Sequence, residues 1–472
     1  MMFHAAPRLM ISALKGGAGK TILSLGLAAV WREKGYRVAP FKKGPDFIDA
    51  GWLTFAAGSP CHNLDPFMMD ERQIMRSFLI NSAGADISLI EGNRGLFDGL
   101  DLEGCCSTAE LGRLLKSPVV IVVDVTMTTR TTAALVMGCQ KFDPELNTAG
   151  VILNRVAGAR QESLVRRAVE RYCDLPVLGA VPKLEGDFFP ERHMGLVPQQ
   201  ERDEAERAVA WARRTVEENL DMEGLWRLAR GAGPLDVASP EEEKVFTPTP
   251  GGGSLRIGYI CDRSFWFYYP ENLEHLRKQG AELIEVNAID DREPPDLDAL
   301  YIGGGFPETQ ATHLADNRRF RLALREKIEK GLPVYAECGG LMYLGQALLL
   351  KDRSYPMVGI LPIKFALEKK PQGHGYTILE VSGENPYFYK GEVLKGHEFH
   401  YSRPLFEAGA DSIRTVFKVR RGHGLDGKRD GLCMKNLLAT YTHLHSVGTP
   451  LWGTRFYKTA LFLKHSEKKN FE

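Results

Sequence analysis

Residues 331–345 read Gly-Leu-Pro-Val-Tyr-Ala-Glu-Cys-Gly-Gly-Leu-Met-Tyr-Leu-Gly. The short run Val334 to Ala336 suits a strand; a glycine pair follows, then apolar residues with helical spacing. Cys338 therefore falls on a sharp strand-to-helix turn. A thiol at that place lies near the positive end of the new helix, which favours thiolate. Gly339 and Gly340 let the backbone turn tightly and leave room for a substrate carbonyl. Taken alone, the stretch fits a nucleophile elbow and fits equally a buried structural cysteine after a core strand.

Two further stretches bear on that choice. Residues 299–308, Ala-Leu-Tyr-Ile-Gly-Gly-Gly-Phe-Pro-Glu, form a strand ending in three glycines. Such a loop can aim backbone N–H groups at a developing oxyanion. Residues 438–445 read Leu-Ala-Thr-Tyr-Thr-His-Leu-His, where a histidine could deprotonate the thiol. In this order the three stretches resemble the class I glutamine amidotransferases. The resemblance implies Cys338 as the nucleophile that attacks the glutamine side-chain amide and releases ammonia through a glutamyl thioester. It implies His443 as the base and Gly304 and Gly305 as the oxyanion region. The usual pattern has Glu two residues after the histidine, where this chain has His445. A Cys–His dyad follows, or orientation of His443 by some other group.

At 472 residues the chain is long enough for two or three domains, each with its own core. Sixty acidic residues balance sixty basic ones, so no nucleic-acid partner and no electrostatic membrane partner is expected. The eight cysteines are scattered, with Cys105 and Cys106 adjacent rather than spaced as metal ligands, which suits a reduced cytoplasmic setting. No signal peptide is expected, because a strand begins almost at once. The longest apolar run, Val119 to Val123, falls far short of the roughly 18 residues of a membrane span.

The N-terminal stretch carries a second chemistry. The run Leu9-Met10-Ile11 leads into Lys15-Gly-Gly-Ala-Gly-Lys-Thr21 and then a helical apolar pattern. This is a strand, a phosphate-cradling loop and a helix N-terminus. Gly16, Gly17 and Gly19 let backbone N–H groups converge on the phosphates of ATP, Lys20 reaches the terminal phosphates, and Thr21 offers a hydroxyl to Mg2+. The full Walker pattern is not met, since Leu14 occupies its first glycine position. Lys15 makes the loop resemble that of ParA- and MinD-like ATPases, where the early lysine reaches nucleotide across an ATP-bound homodimer. A solvated loop cation is the other reading.

Asp46 and Asp49, three apart after a strand, can face the phosphate site and hold magnesium, although Asp caps helices equally well. A buried strand over 86–91 ends in Glu91, well placed beside a P-loop to bind magnesium. Asp98, in a glycine-flanked loop, could approach the same metal or the substrate. Asn154, at another strand end, could read adenine or simply form a turn.

Lys43-Gly-Pro-Asp-Phe-Ile-Asp49, Glu91-Gly-Asn-Arg-Gly-Leu-Phe-Asp-Gly99 and the amidotransferase half together resemble the cobyrinic acid a,c-diamide synthase family. The stretches beginning at Pro190, Phe267 and Gly396 fit it too. The family's P-loop normally has Ser-Ser-Gly where this chain has Leu14-Lys15-Gly16. The resemblance implies transfer of the ATP γ-phosphate to an acetate carboxylate of a polycarboxylate tetrapyrrole, with the a and c acetates amidated in turn by ammonia from glutamine. It implies Thr21, Asp46 and Glu91 at the metal, and Asp46, Phe47, Ile48, Asp49, Asp98 and His193 toward the substrate. His397 and His400 could ligate a metal or line a polar cleft.

The expected fold class is α/β with two doubly wound domains. Residues 1–230 form a P-loop NTPase-like parallel sheet, 231–254 a flexible linker, and 255–460 a class I amidotransferase-like, flavodoxin-like domain. The charged segment 199–230 reads as a solvated helix. Relatives acting on sirohydrochlorin, its nickel complex or sirohaem stay open as alternatives. So does a ParA- or MinD-like nucleotide switch, which gives Cys338 and His443 no role.

Overall fold

In the computed structural model, Leu9-Met10-Ile11 form the middle of the strand Arg8–Ala13, all of it buried. The structure describes residues 2–4, 6–184, 202–237, 254–351, 353–406 and 413–469. His193 and most of the expected linker lie outside them. Contacts divide the chain into two compact units, Met1–Glu243 and Lys244–Glu472.

The first unit is built on a seven-stranded sheet in the order His62–Leu64, Val38–Lys43, Ile87–Glu91, Arg8–Ala13, Val119–Asp124, Thr148–Val156, Val177–Pro182. Every pairing is parallel. Helices cover both faces of such a sheet, so its central strands are continuous apolar runs, as Val119 to Val123 shows. The helix Lys20–Glu33 starts directly after Gly19, whose φ is 94°. The change in strand order across Arg8–Ala13 places the loop in the crevice at the strands' carboxyl ends, where open α/β sheets bind ligands.

The segment expected to be a solvated helix is instead two helices, Arg202–Asn219 and Met222–Arg230. Ala205, Ala208, Ala212 and Val216 recur at helical spacing and are buried. A Cβ on Gly26 would stand 2.4 Å from the Ala212 carbonyl oxygen, so that glycine lets the two helix backbones meet. The alternating charges occupy the outer face and concealed this small-residue stripe. Leu235–Val237, read as linker, pairs antiparallel with Met2–His4 inside the first unit.

The second unit contains a ten-stranded sheet. Its parallel half runs Ala281–Val286, Leu255–Ile260, Ala299–Ile302, Val334–Glu337, Leu437–Thr440. In chain order that is 2-1-3-4-5, the flavodoxin-like arrangement. Beyond it lies an antiparallel wing, Arg429–Met434, Arg414–Arg421, Gly373–Val381, Val393–His400 and His443–Leu444. Thr440 and His443 are neighbours in sequence yet sit on the fifth and tenth strands, so the wing curls back toward the parallel half.

Alternation along the strands decides which side chains share a face. Leu300, Ile302, Val334 and Ala336 belong to one apolar cluster, Tyr301 and Tyr335 to the other. Trp452 packs on both tyrosines with ring centroids 5.2 Å apart. Glu337, two residues after Tyr335, falls on that aromatic face.

Candidate active sites

In the first unit, the loop after Arg8–Ala13 is fastened from three sides. Lys20 Nζ donates to the Arg94 carbonyl at 2.7 Å, and Leu96 N donates to the Ala13 carbonyl at 2.7 Å. Asn154 Nδ2 donates to the Ala18 carbonyl at 2.8 Å. Asn154 thus buttresses the loop through its backbone. Gly16 and Gly17 stand open, with nothing within 4 Å of an added Cβ. Burial pulls the Lys20 ammonium below the ordinary lysine range, against the attraction of Glu91.

Lys15 is mostly exposed to solvent and lies 3.2 Å from Asp124. Arg155 joins the same carboxylate at 2.8 Å and donates to the Gly17 carbonyl at 3.0 Å. Burial opposes the charge on Asp124, but hydrogen bonds from Thr126, Lys15 and Arg155 hold its carboxyl well below the usual range. Neither Asp124 nor Arg155 was singled out from sequence, because each looks like an ordinary strand-end residue.

Thr21, Asp49 and Glu91 converge. Thr21 Oγ1 donates to Glu91 Oε1 at 2.8 Å and lies 3.5 Å from Asp49 Oδ2. Lys42 Nζ bridges Asp49 at 2.5 Å and Glu91 at 2.8 Å. Burial alone would lower the Lys42 ammonium, yet Asp49 and Glu91 hold it above the usual lysine range. Burial pushes the Glu91 carboxyl up, with Lys42 opposing. Glu91 Oε2 is buried without a hydrogen-bond partner.

Asp46 caps a helix beside the same charged cluster, interacting with Asp49 and Lys42. Its Oδ1 accepts the Ile48 and Asp49 N–H groups at 2.9 Å, capping the helix Phe47–Ala57. Burial and neighbouring Asp49 push its carboxyl up to about 7. The carboxylate beside Thr21 and Glu91 is therefore Asp49. Phe47 and Ile48 are buried with the unit's core, since the cap turns both inward. Asp98 Oδ2 accepts the Gly95 N–H at 2.8 Å, closing the loop that carries Arg94.

In the second unit, Cys338 has φ 48° and ψ −100°, a conformation costly for any residue with a Cβ. Its N–H donates to the Thr440 carbonyl at 2.8 Å. The strain sits on the cysteine itself, whereas Gly339 and Gly340 are helical. Their need for hydrogen is steric. A Cβ on Gly339 would stand 3.0 Å from Gly305 N, and one on Gly340 2.5 Å from the Ile302 carbonyl oxygen. The glycine pair thus seats the new helix on the strand that leads into Gly304 and Gly305, rather than only leaving space for substrate.

Burial, then the neighbouring Glu308, push the Cys338 thiol above the usual cysteine range. A backbone hydrogen bond from Gly339, at the helix start, opposes that rise. A Cβ on Gly304 would lie 2.3 Å from His443 Cε1 and 3.1 Å from its Nε2. Cys338, the Gly304–Gly305 pair and His443 are in this way drawn together from three separate stretches.

His443 Nδ1 lies 3.4 Å from Glu337 Oε2, a residue passed over in the sequence although it precedes the nucleophile. The His443 ring stacks on His397 at 4.9 Å. His445, where the usual pattern has Glu, lies 3.5 Å from Glu271. His397 and His400 do not form a ligand set: Tyr269 engages His397 and Ser402 engages His400. Among the described residues, the one group of three metal-ligating side chains with donor atoms within 4.8 Å is Cys105, Cys106 and Glu110.

Comparison with known proteins agrees with this division of labour. Residues 9–197 match the CobQ/CobB/MinD/ParA nucleotide binding domain, and residues 256–450 the CobB/CobQ-like glutamine amidotransferase domain. A cobyrinate a,c-diamide synthase of Magnetococcus marinus is 42% identical, covering 97% of this chain and 98% of its own. One from Archaeoglobus fulgidus is 40% identical, covering 96% of this chain and 98% of its own. A solved glutamine amidotransferase aligns with 43% of this chain and 98% of its own, at 20% identity and a TM-score of 0.33. On the strength of the two full-length relatives, the chain belongs to the cobyrinate a,c-diamide synthase family of glutamine-hydrolysing carbon–nitrogen ligases.

Proposed function

We propose that the chain converts the a and c acetate carboxylates of cobyrinic acid to amides, using ATP for activation and glutamine as the nitrogen source. A carboxylate resists attack because its charge repels nucleophiles and oxide leaves poorly. Phosphorylation by ATP gives an acyl phosphate, which ammonia can displace. Lys20 would neutralise charge on the transferred phosphoryl group and the glycine loop would hold its neighbours, since positioning and electrostatics are the main work in phosphoryl transfer.

Thr21, Asp49 and Glu91 are the residues that would hold Mg2+. They supply the hard oxygen donors this ion prefers, and the buried, unpartnered Glu91 Oε2 fits such a role. Bound there, magnesium would shield phosphate charge. Lys42 keeps Asp49 and Glu91 together.

In the second unit, His443 would take the Cys338 proton, the thiolate would attack the glutamine amide carbon, and Gly304 and Gly305 would flank the oxyanion. Ammonia leaves with the proton returned by His443, and water then releases glutamate from the thioester.

The observation that carries this reading is 42% identity over 97% of the chain to a cobyrinate a,c-diamide synthase. The test is incubation with ATP, Mg2+, amide-15N-glutamine and cobyrinic acid, followed by mass spectrometry. Two labelled amides in the product are expected. Label appearing only when sirohydrochlorin, its nickel complex or sirohaem is offered would replace the acceptor. Label in none of them would overturn the reading.

A further inference from the structure

Asn272, Tyr301 and Glu337 form a buried polar chain that ends at His443. Asn272 Nδ2 donates to the Tyr301 hydroxyl at 3.3 Å, and the Tyr301 hydroxyl donates to Glu337 Oε2 at 3.0 Å. The other oxygen, Oε1, accepts the Leu444 N–H at 3.1 Å. Asn272 also holds the backbone on both sides of His445, donating to the Leu444 carbonyl at 2.9 Å and accepting the Ser446 N–H at 2.7 Å. Glu337 is therefore fixed at both oxygens relative to the strand that carries His443, and its own backbone continues into Cys338.

We propose that Glu337 is the positioning residue of the glutaminase site, holding His443 with its Nδ1 proton toward the carboxylate. The inference rests on the reading of Cys338 and His443 as nucleophile and base. Three observations favour Glu337. It stands 3.4 Å from His443 Nδ1, with both side chains sealed from solvent. The opposite ring edge, Cε1 and Nε2, faces Gly304 beside the cysteine turn. His445 cannot serve, because its Nε2 lies beside Glu271 and its Nδ1 accepts the Val447 N–H.

A separation of 3.4 Å is long for a hydrogen bond, but such contacts tighten in the reacting complex. When His443 accepts the Cys338 proton it becomes a cation, and the Glu337 carboxylate stabilises that cation in a buried setting where charge matters most. As the proton passes to the departing ammonia, His443 returns to neutral and Glu337 keeps its charge throughout. Among the described residues, the titratable ring stacked on His443 is His397. Burial first, then His443 and His445, push His397 well below the usual histidine range, so it brings no positive charge.

The experiment compares wild type with Glu337→Gln, Glu337→Asp and Cys338→Ser as full-length proteins. Glutamine can still accept the Leu444 N–H and fills the same space, but it lacks the charge. In Glu337→Gln, glutaminase kcat is expected to fall roughly 10²- to 10⁴-fold, as in triads robbed of their carboxylate, with KM for glutamine little changed. Alkylation of Cys338 by iodoacetamide at neutral pH should slow, its pH profile moving toward that of an unassisted thiol. Glu337→Asp should recover part of both. Wild-type kcat and an unchanged alkylation profile in Glu337→Gln would overturn the proposal. So would a loss of activity that tracks a lower thermal midpoint while the alkylation profile stays put, which marks a structural role alone. Glutaminase turnover persisting in Cys338→Ser would instead bring down the underlying site assignment.

Discussion

The Lys42 ammonium lies 2.8 Å from Glu91 Oε1, with the two side chains 2% and 0% exposed. Together with Asp49 it makes a charged cluster inside the first unit, held by mutual attraction against the cost of burial. Removing one partner of such a cluster leaves uncompensated charge. Lys42→Met should therefore destabilise the first unit by about 3–5 kcal/mol in the absence of ligands. Added Mg2+ should recover much of that loss, because a cation between Asp49 and Glu91 replaces the missing charge. Thermal melts with and without Mg2+ measure both effects, and a variant as stable as wild type would show that the pairing matters little.

Cys338→Ser should abolish use of glutamine while amidation with high ammonium continues. The hydroxyl is a far weaker nucleophile in the same strained turn. Parallel assays with glutamine and ammonium chloride separate the two activities, and equal loss of both would contradict separate sites.

Gly304→Ala adds a methyl group 2.3 Å from His443 Cε1, so the ring must move. A displacement of about 1 Å at a base costs on the order of a hundredfold in rate. Glutaminase kcat should drop accordingly, with little change in the nucleotide-dependent step. A steady-state assay of glutamate release checks it.

Burial pushes the Glu308 carboxyl up from the usual glutamate range to about 7. Its folded state therefore favours the protonated form. The stability this contributes is complete below the ordinary glutamate range and disappears as pH rises through about 7. Glu308→Gln should flatten that loss, gaining on wild type in thermal midpoint above neutral pH. The same variant should ease ionisation of Cys338, whose thiol the Glu308 charge disfavours. Midpoints that stay parallel from acid to alkaline pH would refute the assignment.

Lys15 pairs with Asp124 inside its own chain, and its side chain is 65% exposed. Exposed pairs contribute only about 0–1 kcal/mol. Lys15→Ala should leave stability and the ATP-dependent association state unchanged, as sedimentation would show. Loss of an ATP-dependent dimer would revive the cross-subunit role of this lysine.

The two chemistries were legible in sequence because both are local. A phosphate loop needs glycines, lysine and threonine between a strand and a helix, and a nucleophile elbow needs a residue at a strand-to-helix turn. Asp46 and Asp49 were harder to separate. Both are acidic and lie at the start of one helix, and only the capping bonds from Ile48 and Asp49 tell the cap, Asp46, from the helical residue, Asp49. Arg155 and Asp124 escaped notice because they are 31 residues apart, and Lys42 because its partner Glu91 is 49 residues away. The buried face of Arg202–Asn219 was hidden by the charges around it.

The sequence by itself determined the parallel strand order's raw material, the loop that cradles phosphate, and the cysteine turn, since each is set by residues within one turn or strand of one another. Tertiary structure alone decided that Glu337 stands beside His443, that Asp49 rather than Asp46 joins Thr21 and Glu91, and that Asn154 braces the loop. Those relationships depend on strand register and on the curl of the antiparallel wing, which bring together side chains far apart along the chain. Local propensity carries no record of such distances.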